Sequence, residues 1–128
     1  MLSTIAAVAL LGAIPGAAAA DWRSGTYTGT TSQGKTLQLD VTQRRVNITF
    51  FGYVAPPCGG AGGVQFAGVK ARIGSTGRFK YQEPYYGGFI KGRLQGRRVE
   101  GTAAYYFSNA TTSCDSGIVT WTGKRVSG

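Results

Sequence analysis

The sequence predicts an all-β protein, an eight-stranded antiparallel sandwich or up-and-down barrel built from two four-strand pseudo-repeats. Three observations lead there. Apolar and polar residues alternate along one segment after another, and no segment after residue 20 shows sustained apolar recurrence at three and four residues. Glycine, 21 of 128 residues, joins Ser, Asn and Pro in clusters that bound these segments as turns do. The chain also matches itself: under a shift of 53 residues, Leu37, Val41, Arg44, Arg45, Val46 and Thr49 fall on Ile90, Leu94, Arg97, Arg98, Val99 and Thr102.

The first 20 residues stand apart. Met1 to Ala20 hold no charged side chain and run through an apolar stretch (Ile5 to Leu11), a Pro15-Gly16 breaker and Ala18-Ala19-Ala20 before Asp21. An apolar core followed by small residues in an A-x-A pattern reads as a secretory signal cleaved after Ala20. It departs from that pattern in one respect, since no Lys or Arg precedes the apolar core. A retained anchor is the rival reading, but Gly12, Pro15 and Gly16 interrupt the stretch and polyalanine is barely apolar enough to span. The domain organisation is therefore a signal peptide at 1–20 and a single β-domain at 21–128, with no transmembrane segment after cleavage.

Within that domain, Leu37, Leu39 and Val41 alternate with Gln38 and Asp40; Val46, Ile48 and Phe50 with Asn47 and Thr49; Phe79 and Tyr81 with Arg78 and Lys80. The predicted strands lie near 24–30, 36–42, 46–54, 64–73, 78–82, 89–94, 98–107 and 118–126. Each half reads strand, turn, strand, tight turn around an Arg pair, strand, Cys-bearing loop, strand. A four-strand meander with one apolar face cannot bury that face alone, so the two must close on each other. The expected inner set is Tyr27, Leu37, Leu39, Val41, Val46, Ile48, Phe50, Phe66, Phe79, Ile90, Leu94, Val99, Val119 and Trp121.

Cys58 and Cys114 are the only cysteines. In an exported chain an even pair forms a disulfide, here joining the same loop of both halves. Closing so long a loop is worth roughly 4 kcal/mol in the chain-entropy account. Two thiols, no His and no C-x-x-C spacing provide nothing like four ligands, so neither a metal site nor any cofactor is implied.

The opening run Ser24-Gly25-Thr26-Tyr27-Thr28-Gly29-Thr30-Thr31-Ser32-Gln33-Gly34 and the closing run from Cys114 through Gly117, Val119 and Trp121 to Thr122 resemble a motif pair of an uncharacterised family of small secreted bacterial β-domains. The resemblance covers the domain from first strand to last. It implies a bacterial, exported, disulfide-containing β-domain, secreted or periplasmic, and brings no catalytic residues with it.

Charge is the remaining signal. Fourteen Lys and Arg face five Asp and Glu, a formal +9. If Val69, Ala71 and Ile73 point inward, Lys70 and Arg72 point out; the same alternation turns out Arg78 and Lys80 on the next strand and Lys91 and Arg93 on the one after. In a meander these strands are neighbours, so six cations share one face, with Arg97 and Arg98 at the following turn. The matching face of the first half offers Thr26, Thr28, Thr36, Gln38 and Asp40, which is nearly neutral. Opposed like charges destabilise a sheet by roughly a few tenths of a kcal/mol per pair, so an anionic partner would explain the cluster. The plainer reading is that exposed strands carry Lys and Arg for solubility and to deter edge pairing.

Aromatic pairs adjoin this region: Tyr85-Tyr86 in a Pro-Gly loop and Tyr105-Tyr106-Phe107 near a strand end. Neighbours on a strand face opposite ways, so Tyr85, Tyr86 and Tyr106 are candidate contacts for sugars or bases, the alternative being rings that plug the ends of the fold. Catalysis has little to work with: there is no His, both cysteines are paired, and Asp40 and Glu100 alternate with core residues and so face solvent. The run Gly59-Gly60-Ala61-Gly62-Gly63 lacks the Gly-Lys-Ser/Thr ending of a phosphate loop. No recognition-helix pattern supports sequence-specific nucleic-acid binding. The expectation is a secreted, non-enzymatic binding module whose partner is an anionic polymer or cell-envelope surface. The alternatives are a barrel enclosing a small ligand in room left by Gly92, Gly101 and Ala103, and an inhibitor or surface-interaction protein acting through the Tyr85-Tyr86 loop. Oligomeric state is left open.

Overall fold

A computed structural model of the chain describes residues 21–60, 63–84 and 87–128. The expected signal segment at 1–20 lies outside the described residues, as do Tyr85 and Tyr86. The chain is all-β and antiparallel. Its strands are β1 (Gly25–Thr31), β2 (Thr36–Val41), β3 (Arg45–Tyr53), β4 (Val64–Arg72), β5 (Arg78–Gln82), β6 (Gly87–Gln95), β7 (Arg98–Ser108), β8 (Ser113–Asp115) and β9 (Val119–Ser127). The eight expected strands are all present, with ends within two residues. β8 is an addition, a short excursion in the Cys-bearing loop that pairs with β7.

The strands form one sheet in the order β4-β3-β2-β1-β9-β7-β6-β5. This is an up-and-down meander rolled into a nearly closed barrel. The two halves, β1–β4 and β5-β6-β7-β9, are fully laddered where β1 meets β9, with Tyr27 opposite Arg125 and Gly29 opposite Gly123. Where β4 meets β5 there is contact without a hydrogen-bonded ladder. The expectation that β4, β5 and β6 are simple sheet neighbours therefore holds for β5 and β6, while β4 lies across an open seam. Aromatic rings bridge that seam from within, Phe66 meeting Tyr81 edge-on at 6.1 Å.

Alternation places the core. Tyr27, Leu37, Leu39, Val41, Val46, Ile48, Phe79, Ile90, Leu94, Val99, Val119 and Trp121 are all buried, as the pattern requires, and Phe66 packs half-buried against them. Phe50 is the correction. The β2–β3 register slips between Gln38 and Leu39, so that Leu39 faces Ile48 while Gln38 faces Phe50. This bulge absorbs Thr49 and reverses side-chain parity beyond it. Phe50 is left half-buried, and Phe51 and Tyr53 point into the core. Opposite the bulge, β4 makes the same reversal at Gly68, whose φ of 72° few other residues would adopt without strain.

The interior is filled by side chains. Trp121 packs edge-on against Phe51 at 5.6 Å and tilted against Phe79 at 6.2 Å, and its indole N–H donates to the Thr102 carbonyl at 3.2 Å. A Cβ on Gly92 would come within 2.8 Å of Trp121 Cζ2 and 2.9 Å of Phe79 Cζ, so the space that glycine leaves is occupied. A Cβ on Gly101 would run into the Lys91 carbonyl of the adjoining strand. These inward glycines, paired with each other across β6 and β7, let the sheet curl tightly around the tryptophan.

Each end is closed differently. At the end holding the β2–β3, β4–β5 and β6–β7 turns, Trp22 is buried and donates its indole N–H to the Thr42 carbonyl at 3.2 Å, while the Tyr27 hydroxyl donates to the Arg23 carbonyl at 2.6 Å. At the other end Cys58 and Cys114 form the expected disulfide, with Cα atoms 5.7 Å apart. The Gln33 side chain ties the two Cys-bearing loops together, accepting from Val54 N–H and donating to the Val54 and Ser116 carbonyls. Tyr53, Phe66 and Tyr105 pack as a ring cluster beneath, with centroids 5.6–5.9 Å apart.

Candidate basic face

Two strands place the centre of the candidate site. On β5, Phe79 is buried, so its neighbours Arg78 and Lys80 are turned out and exposed. On β6, Ile90 and Leu94 are buried, so Lys91 and Arg93 are turned out. The antiparallel register then sets them directly opposite one another: Arg78 faces Arg93 and Lys80 faces Lys91. On β4, buried Ala71 separates the exposed Lys70 and Arg72. All six side chains selected by alternation are on the outside of the barrel.

They are not one uniform cluster. Arg72, Arg78, Lys80, Lys91 and Arg93 line a shallow outer groove of about 580 Å³, which Glu100 and Thr102 of β7 also border. Lys70 is exposed on the same strand as Arg72 but stands outside this groove, opposite Asn47. Arg97 lies in the two-residue β6–β7 turn behind Gly96, whose φ of 60° suits a primed hairpin turn. Arg98 opens β7 and joins Arg93 in the adjacent recess, where Glu100 stands opposite Arg93. Among the described residues, none of these eight cations forms an ion pair with a carboxylate.

Several basic residues escaped the sequence argument. Arg45 lies directly opposite Arg72, and Lys124 directly opposite Arg98. Arg23 and Arg125 line a third recess at the barrel end closed by Trp22. Cross-strand partners are a property of strand order, so no local spacing could have announced them. Phe89 was also missed. It shares its face with Lys91 and Arg93, and both lysine ammoniums sit over its ring, Lys80 Nζ at 5.9 Å and Lys91 Nζ at 5.5 Å from the centroid. A period-two reading of β6 extended by one more step reaches Phe89, so this signal was available.

The aromatic candidates divide. Tyr105 is buried in the end cluster and Tyr106 is 42% exposed on the outer face, opposite Gly87, as strand parity demands. The opposite outer wall is unlike the basic one. There Asp40 accepts hydrogen bonds from the Thr26 hydroxyl at 2.9 Å and the Thr49 hydroxyl at 2.8 Å, and its charge is met within its own surroundings. Among the described residues no group of three or more His, Cys, Asp or Glu stands together, and no helix is long and apolar enough to cross a membrane. Comparison with protein-family models, with curated proteins and with solved structures finds no match to this chain.

Proposed function

We propose that the chain is a secreted, non-enzymatic binding module whose basic outer face docks on an anionic envelope or extracellular polymer. One observation carries the reading: like-charged side chains stand directly opposite each other at Arg78–Arg93 and Lys80–Lys91, so that five cations line a groove whose one carboxylate is Glu100, opposite Arg93 on β7. Such an arrangement is unfavourable in the free protein and is relieved when an anion enters. The disulfide between Cys58 and Cys114 is compatible with an extracellular or periplasmic setting. The filled space over Gly92 favours an external partner over an enclosed ligand. Binding proceeds by charge neutralisation with counterion release, so affinity falls steeply with salt.

Retention on a heparin column tests this. The triple variant Lys80→Thr, Lys91→Thr, Arg93→Ser should elute at much lower salt than the parent, with a salt slope shallower by about 2–3. Its melting temperature should change little, because relief of the opposed like charges offsets the loss of the lysine contacts over Phe89. The control Arg23→Ser, Arg44→Ser, Lys124→Thr removes the same charge elsewhere and should change retention less. Elution of the two triple variants together would show that net charge alone is read, and would sink the docking face.

A further inference from the structure

The cations of β5 and β6 form rungs, and the spacing of the rungs selects among anionic polymers. Along either strand, side chains on one face recur every second residue, about 6.8 Å apart. Arg78 and Arg93 make one rung and Lys80 and Lys91 the next. Two residues of polypeptide contain six backbone bonds between equivalent atoms. Successive phosphorus atoms of a chain linked through three carbons, whether a sugar–phosphate backbone or a glycerol phosphate chain, are likewise separated by six bonds. Extended alongside the strands, such a polymer presents one phosphate per rung without accumulating mismatch.

A second feature bears on the lysine rung. Two ammoniums placed directly opposite each other repel, and free lysines would swing apart. Phe89, on the same face one step along β6, holds both within 6 Å of its ring centroid. Cation–π attraction of that kind keeps the pair convergent and limits the ordering needed when an anion arrives. Between the rungs lie Phe79 and Gly92, both turned inward, so no outward side chain separates one rung from the next; Thr102 and Glu100 of β7 border the groove beside Lys91 and Arg93. On the same wall, the exposed Tyr106 lies opposite Gly87, two residues beyond Phe89.

We propose that the β5–β6 wall binds a base-free linear phosphodiester polymer with three-carbon linkage, a glycerol phosphate chain, laid along the strands with successive phosphates on the Lys80–Lys91 and Arg78–Arg93 rungs. Phe89, the ring beside the lysine rung, is covered by the two ammoniums and is not offered to a base. This rests on the basic face being a docking surface and names its ligand class. Phe89 is a positioning residue: it sets the lysines and does not itself contact phosphate.

Two synthetic oligomers of equal phosphate number test the register on the unaltered protein, one with three-carbon linkers (six bonds between phosphorus atoms) and one with six-carbon linkers (nine bonds). Titration followed by fluorescence anisotropy should show the three-carbon oligomer binding at least about tenfold tighter. Equal binding of the two would overturn the phosphodiester register while leaving a general polyanion face standing. Failure of both, together with no retention on heparin, would overturn the docking face as well. A charge-conserving relocation, Lys80→Thr with Thr122→Lys, keeps the net charge and should lose the preference between oligomers; if it keeps that preference, the rungs are not what is read. Phe89→Leu removes no cation, so it should weaken the three-carbon oligomer while leaving the salt slope unchanged, and an unchanged affinity removes the positioning role. Oligothymidine of the same phosphate number tests the occupant: binding no tighter than that of the base-free oligomer supports the glycerol phosphate chain, and tighter binding overturns it in favour of a single-stranded nucleic acid with base contacts.

Discussion

The two halves of the barrel follow the same path and carry different things along it. Under the 53-residue shift, Leu39 and Ile48 correspond to Gly92 and Gly101. Both pairs are cross-strand neighbours facing the interior, Leu39 against Ile48 on β2 and β3, and Gly92 against Gly101 on β6 and β7. The first half fills its share of the core with two aliphatic side chains of its own. The second supplies none there, and Trp121 from β9 takes the volume. Outside, Gln38 and Asp40 correspond to Lys91 and Arg93. One wall satisfies its acid internally through Thr26 and Thr49; the other leaves its cations facing water. The lesson is that a shared meander fixes where side chains point and leaves open what is placed there. In this molecule the freedom has been used to make one wall nearly neutral and the other strongly basic.

Three experiments would break or sharpen that comparison. The largest effect concerns what ties the halves together at the end away from Trp22. Replacing Cys58 and Cys114 together with Ala should cost roughly 4 kcal/mol in urea unfolding. The loss should be accompanied by faster amide exchange around Gln33, Val54 and Ser116 than in the β6–β7 turn; uniform exchange would mean the bridge does not act locally on its own end. Next come the equivalent core positions. Leu39→Ala should destabilise by about 3 kcal/mol through a cavity. Gly92→Ala should destabilise by about 2 kcal/mol through overpacking against Trp121 and Phe79. If Gly92→Ala is neutral or stabilising, the second half is not packed around Trp121 as described.

The smallest effect is alkaline. Burial raises the Tyr53 phenol far above its ordinary value with nothing opposing it. Tyr27 is also raised by burial, but Arg125, Arg23 and Arg97 and a hydrogen bond to the Arg23 backbone pull it back. Folding thus disfavours both phenolates. The stability they contribute is complete below pH about 10, where the unfolded phenol is still protonated, and is lost as pH climbs from there toward the folded-state values. Tyr53→Phe should flatten the alkaline fall of the melting temperature more than Tyr27→Phe. The reverse order would mean that the arginines around Tyr27 do not compensate its burial.

How much of this was legible beforehand differs from residue to residue. Alternation found Leu37, Leu39, Val41, Ile90, Leu94 and Trp121 because strand parity is local: a side chain two residues from a buried one is buried too, as long as the ladder is regular. It failed at Phe50 for the same reason, since one absorbed residue at the bulge reverses every later orientation and nothing in Thr49-Phe50-Phe51 marks the spot. The outward set of Lys70, Arg72, Arg78, Lys80, Lys91 and Arg93 was legible by the same rule. Its division into five cations lining one groove with Lys70 apart was not, because the β4–β5 seam lacks the ladder that a meander suggests.

By itself, then, the amino-acid sequence determined the class of fold, the two-fold repetition, the pairing of Cys58 with Cys114 and the inward or outward sense of nearly every strand residue. These follow from period, turn composition and count, which are readable one short window at a time. Only the tertiary structure decided that the barrel closes through β1 and β9 and stays open at β4 and β5. It alone set Arg45 opposite Arg72 and Lys124 opposite Arg98, and brought Phe89 beneath two ammoniums. Those are relations between residues distant in the chain, settled by how the strands pack around Trp121 rather than by any one of them.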